Sequence, residues 1–152
     1  MNEENENNEG AGLPKNKIDK ETAEKEFIRY CDSNEFDHDT SGMNDEEKES
    51  FDDIKQRFLK ACMAGRVVVD GMLLKYTVSN FSPEGFKGDV LTFKRPAGYA
   101  FTAMDDFKER ENVHKLTAFM SALVGKDLKY FAKIDSSDWK FVSSIAQLFL
   151  SS

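Results

Sequence analysis

Cysteine, histidine, proline and tryptophan are all scarce in this chain. Its 152 residues include 2 Cys, 2 His, 3 Pro and 1 Trp. Two cysteines, Cys31 and Cys62, cannot build the disulfide framework that holds many small secreted domains together. Cys62 falls on the apolar face of a predicted helix and reads as a reduced core thiol. His38 and His114 lie in different regions, with no Cys or His at ligand spacing, so no zinc site is expected. No apolar run approaches the roughly 20 residues of a membrane span, so no membrane partner is expected. The first residues are polar and acidic, without the basic and apolar regions of a signal peptide. These features point to a soluble protein of a reducing cytoplasm. Positive charge is short as well: 21 Lys+Arg stand against 28 Asp+Glu, for a net charge of −7. The lysines are scattered and form no basic patch, so nucleic acid is not an expected partner.

Phenylalanine, by contrast, is abundant. Thirteen Phe in a chain that is 39% apolar suffice for one modest core. The acidity is concentrated at the front: residues 1–50 carry 16 acidic and 6 basic side chains, and the remainder is weakly basic. Residues 1–43 therefore read as an acidic, largely disordered leader. Residues 1–17 hold too little apolar surface to offset the ordering entropy. Residues 19–30 can form a short helix with Ala23, Phe27 and Tyr30 on one side, and 31–43 read as a polar loop. Residues 44–152 read as a single α+β domain.

That domain opens on a helix. Asn44 followed by Glu47 is a capping-box pattern, and Asp45, Glu46 and Glu47 suit the positive end of a helix dipole. Phe51, Ile54, Phe58, Leu59 and Cys62 recur at helical spacing, and Gly65 is suited to a left-handed ending. A strand over 66–69, an Asp70-Gly71 hairpin turn and a returning strand over 72–79 follow. The second strand alternates Leu74, Tyr76 and Val78 against Leu73, Lys75 and Thr77. Ser82-Pro83-Glu84-Gly85 is turn chemistry. A third strand over 89–94 ends before Pro96. Helices are then predicted over 99–107 (Ala100, Ala103, Met104 and Phe107 facing one way) and over 112–124, with Asn112 as cap. That second helix has Val113, Leu116, Met120, Leu123 and Val124 on one face and Phe119 beside it. A short helical turn over 127–133 and a last helix, capped by Asp135 or Ser136 and ending near Leu150, complete the chain. The fold class is thus α+β: a small three-stranded antiparallel meander packed against a C-terminal helical bundle, with one helix before the sheet.

Catalytic signals are thin. Ser136, Ser137, Ser143 and Ser144 lack a Gly-x-Ser-x-Gly context. Asp52-Asp53 and Asp105-Asp106 are adjacent on helices and diverge by about 100°, so neither is a catalytic dyad. Gly85-Phe-Lys-Gly88 lacks the Gly-Lys-Ser/Thr step of a phosphate loop. With no nucleophile–base constellation, an enzyme is not expected, nor is a cofactor. The nearest approach to a metal site is Asp37, Asp39, Ser41 and Asp45, the spacing of an EF-hand calcium loop with Gly42 in place. Its twelfth position is Lys48, where a bidentate Glu should close the shell. A polar loop is the plainer reading, and no metal is expected.

The last helix is apolar around most of its circumference. Lys140, Ser143, Ser144 and Gln147 form one narrow polar stripe, with Trp139, Phe141, Val142, Ile145, Leu148 and Phe149 elsewhere. Such a helix is either central to a core or half committed to a partner, and the core is the commoner outcome.

Residues 48–152 resemble a group of small phage and prophage tail-assembly proteins. The resemblance is carried by FDDIKQRFLKACMAGRVVVDG, GDVLTFKRPAG leading into YAFTAMDDFK, NVHKLTAFMSALVG, and KIDSSDWKFVSSIAQLFLSS. It implies a tail assembly chaperone of the host bacterial cytoplasm, one that binds the tape measure protein or another tail protein. Such a chaperone keeps the helical tape measure soluble while tube subunits polymerise. The family supplies no catalytic residues. Phe119, Met120, Leu123, Trp139 and Phe149 are the expected partner-binding residues. The alternatives are a structural tail component that self-assembles into a homo-oligomer through its apolar helices, and a calcium-responsive binding module.

Overall fold

The computed structural model describes residues 17–106 and 112–151. Nearly all of the stretch 1–17, expected to be disordered, and Phe107, expected on the helix after Gly98, lie outside the described residues. The order is α1 (Lys20–Asn34), α2 (Asp45–Met63), β1 (Val67–Asp70), β2 (Leu73–Thr77), β3 (Val90–Phe93), α3 (Gly98–Thr102), α4 (Asn112–Val124), α5 (Leu128–Lys133) and α6 (Ser136–Ser151). Short 3-10 turns cover Thr40–Gly42 and Ala103–Asp106. This is the α+β arrangement read from the sequence: a helix before a three-stranded antiparallel sheet, and helices after it.

The leader boundary at residue 44 does not describe the packing. Asp19 caps α1, its Oδ1 accepting the Thr22 N–H at 2.8 Å, and the helix runs four residues past Tyr30. Ala23, Phe27, Tyr30, Cys31 and, beyond the helix, Phe36 belong to the same core as everything downstream. Phe27 meets Phe51 and Phe58 edge-on, with ring centroids 5.7 and 5.1 Å apart. The expectation failed because α1 presents a thin apolar line in a highly charged sequence. Its stability comes from tertiary packing rather than from its own pattern.

α2 begins and ends as its sequence dictates. Asn44 accepts the Glu47 N–H at 2.8 Å and Glu47 accepts the Asn44 N–H at 3.0 Å, a complete capping box. Gly65 takes φ 80°, while the N–H groups of Gly65 and Arg66 donate back to the carbonyls of Cys62 and Ala61. That is a Schellman ending.

The hairpin turn lies one residue later than expected. Asp70 pairs with Leu73, so the two loop residues are Gly71 and Met72, not Asp70 and Gly71. Gly71 alone carries the positive φ, 61°, as a glycine-first turn requires. The sheet order is β1-β2-β3. Val69, Leu74 and Phe93 form one inward row, and Tyr76 with Leu91 extends the next. Val68 and Val90 point the other way and are 58% and 55% exposed.

α6 is the central helix. It packs on α2 and α4, and the Phe141 ring lies flat on Tyr76 at 4.1 Å. Even its polar stripe is largely internal: Ser143 and Ser144 are buried, and the Arg57 guanidinium donates to Ser144 Oγ at 3.0 Å. α4 departs from its expected face at the start, where Val113 is 64% exposed. Asn112 is the first helical residue rather than the residue before it.

Candidate functional site

Four of the five expected partner-binding residues are inside the protein. Phe119 and Met120 are fully buried, Leu123 and Phe149 nearly so, and Trp139 is half-buried. Phe149 meets the Phe36 ring edge-on at 4.9 Å. As side chains offered to a partner they are corrected to core residues. α6 is covered by α2, α4 and the Phe36 ring, and α4 by α3, α5, α6 and β3.

The reactive residue types are similarly occupied. Both cysteines are buried and free, and burial pushes each thiol up to about 12. The acidic loop spends its carboxylates on its own backbone. Asp37 Oδ1 accepts the Asp39 N–H, and Asp39 Oδ1 accepts the Ser41 N–H, both at 3.0 Å. Asp45 sits in the first turn of α2, and Glu47 is engaged in the capping box. No cluster of three or more His, Cys, Asp or Glu able to hold a metal occurs among the described residues. His38 Nε2 lies 2.8 Å from Asp32 Oδ1, and His114 is exposed. No helix among the described residues is long and apolar enough to cross a membrane.

The densest polar cluster was not legible in the sequence. Asp138, in the first turn of α6, is fully buried. Its Oδ1 accepts the Tyr76 hydroxyl at 2.5 Å and the Ser79 N–H at 2.9 Å. Its Oδ2 accepts the hydroxyls of Ser79 at 2.8 Å and Ser82 at 2.6 Å. Ser82 Oγ in turn accepts the Asp135 N–H at 2.7 Å. Burial and the bond to Asp138 hold the Tyr76 phenol protonated, far above its usual range. Each carboxylate oxygen is doubly used, and the group is sealed from solvent. The arrangement is a latch fastening the β2–β3 connection to the start of α6, chemically saturated and without room for a substrate.

An open feature lies at the opposite end of α6. A groove of about 680 Å³ runs between the α1–α2 connection, the first half of α2 and the last turn of α6. Phe36, Phe51, Ile54 and Leu148 form its floor and Met43 stands at its side, with Phe51 and Met43 half-buried. Glu35, Asp37, Glu46 and Glu47 form its rim, and among the described residues no Lys, Arg or His lines it. Glu35 holds φ 61°, the left-handed conformation that ends α1 and turns the chain into the groove wall. A smaller hollow of about 290 Å³ adjoins it through Glu35 and is lined by Arg95, Phe101 and Phe149. Arg95 there donates to the Asn34 carbonyl at 2.7 Å.

The sequence contained the pieces of this groove, but on opposite sides of an expected boundary. Phe36 and Met43 were assigned to a loop outside the domain. The chain matches no protein-family model, and no curated protein or solved structure matches it.

Proposed function

We propose that this protein is a non-enzymatic tail-assembly protein of a tailed phage or prophage. It acts in the host cytoplasm as a chaperone that binds helical segments of the tape measure protein during tail morphogenesis. The observation that carries this reading is the open groove beside the end of α6, where the half-buried Phe51 and Met43 offer apolar surface to a partner helix. The sequence resemblance over residues 48–152 supplies the biological setting. The contact surface moves from the buried faces of α4 and α6 to the groove, where Phe51 and Met43 remain reachable.

Self-assembly as a structural tail component is the competing reading. Its support is the outer face of the sheet, where Val68 and Val90 are more than half exposed. Co-expression with the tape measure protein separates the two. A soluble complex recovered by pull-down, with the free protein monomeric by light scattering, supports the chaperone. A concentration-dependent oligomer that ignores the tape measure protein supports the structural component and counts against the chaperone. Calorimetric heat on adding calcium would favour the third reading, through Asp37, Asp39, Ser41 and Asp45.

A further inference from the structure

The groove carries charge of one sign beside its apolar side chains. Among the described residues, Glu35, Asp37, Glu46 and Glu47 have no Lys or Arg ion-pair partner. The far wall adds to the same field. Gln147, Leu148 and Ser151 belong to the last two turns of α6, whose terminal carbonyls lack intrahelical donors and form the negative end of the helix dipole. No basic residue occupies the last turn of α6 to neutralise it. The positive end of α2 also faces the groove, but Asn44, Asp45, Glu46 and Glu47 cap and neutralise it. An anionic ligand would meet the Glu35 and Asp37 carboxylates on one wall and the carbonyl end of α6 on the other.

We propose that the groove selects a cationic amphipathic helix: a segment with apolar side chains on one face and Lys or Arg flanking them. The apolar face seats on the half-buried Phe51 and Met43, above the buried side chains of Phe36, Ile54 and Leu148. The flanking cations meet the four rim carboxylates and the carbonyl end of α6. The proposal rests on the partner-binding reading above and adds the chemistry of the partner. Rim charge pairs of this kind set specificity and association rate more than they set raw affinity. An acidic helix with the same apolar face should therefore be rejected, since like charges juxtaposed across an interface are strongly unfavourable.

The test uses the full chain and two fluorescein-labelled peptides. One is an amphipathic Leu/Lys helix, and the other has the same Leu positions with every Lys replaced by Glu. Fluorescence anisotropy should show binding of the Lys peptide, weakening as salt is raised, and no binding of the Glu peptide. The double variant Glu35→Gln/Glu46→Gln leaves the capping box intact and should weaken the Lys peptide about fivefold, as expected for two partly solvated charges. Glu84→Gln is the control, since it lies in the β2–β3 connection. Asp138 ties that connection to the start of α6, about 14 Å along the helix from Gln147 at the groove. It should leave affinity unchanged. Equal binding of both peptides, or equal weakening in the control, overturns the proposal.

Pull-down of the tape measure protein is scored separately. Capture of the Lys peptide at the groove without capture of the tape measure protein would retain the groove's specificity and refute the assigned role. Capture of the tape measure protein unaffected by Glu35→Gln/Glu46→Gln would do the reverse.

Discussion

Asp138→Ala is the sharpest test of how the fold is held together. The substitution removes a fully buried carboxylate and leaves four donors without their acceptor: the Tyr76, Ser79 and Ser82 hydroxyls and the Ser79 N–H. The hydroxyls can rotate toward other acceptors, but the backbone N–H cannot. One buried donor left unsatisfied costs about 1–3 kcal/mol. Losing the charged acceptor shared by the whole cluster brings the expected total to about 3–5 kcal/mol. Asp138→Asn should cost less, about 1–2 kcal/mol. Its carbonyl can keep the Tyr76 and Ser79 N–H bonds while its amide donates to the serine oxygens. Urea unfolding followed by circular dichroism measures both. Domains of this size hold only about 5–15 kcal/mol in total, so the alanine variant should be visibly marginal. A double-mutant cycle with Tyr76→Phe should return a coupling of about 1 kcal/mol. A loss below about 1 kcal/mol for Asp138→Ala would refute the latch, because no buried donor could then have been left unpaired.

Three further outcomes follow from local geometry. The Tyr30 hydroxyl is buried without a hydrogen-bond partner among the described residues; Tyr30→Phe should therefore be neutral or stabilise by up to about 1 kcal/mol in the same urea assay. Cys31 and Cys62 are buried with thiols pushed up to about 12. Ellman's reagent at about pH 8 should leave both unmodified in the native protein and label both after unfolding. The Ser137 hydroxyl and N–H hold the Asp135 carboxyl below the usual carboxylate range, since both favour its ionised form. A folded-state value below the unfolded one means stability that is present above the unfolded value and lost as pH falls through the folded one. Asp135→Asn, which still caps α6 but does not titrate, should therefore flatten the acid limb of the stability–pH curve. An unchanged acid limb would contradict that assignment.

Much of the fold could be read locally because its signals are local. Asn44 and Glu47 are three residues apart, and Gly65 needs only its own φ; both were legible and both are observed. Strand alternation at Leu74, Tyr76 and Val78 identified the buried face for the same reason. The hairpin slipped by one residue because Asp70-Gly71 and Gly71-Met72 each offer a glycine, and pairing across the sheet decides between them. α1 was underrated because Ala23, Phe27 and Tyr30 mean little until Phe51 and Phe58 are placed against them. Asp138 was invisible because its donors lie 56 to 62 residues upstream. The groove was lost for a related reason: its walls come from Glu35–Asn44, from α2 and from the last turns of α6. The breadth of apolar surface on α4 and α6 was legible, but what covers it was not, since α2 and Phe36, which pack on α6, lie far upstream in the chain.

The central claim is that a partner helix docks at the end of α6. Hydrogen–deuterium exchange on the complex with the tape measure protein tests it most directly. New protection confined to residues 35–54 and 147–151 is the expected result. Protection on the outer face of the sheet instead, around Val68 and Val90, or none anywhere, would contradict it.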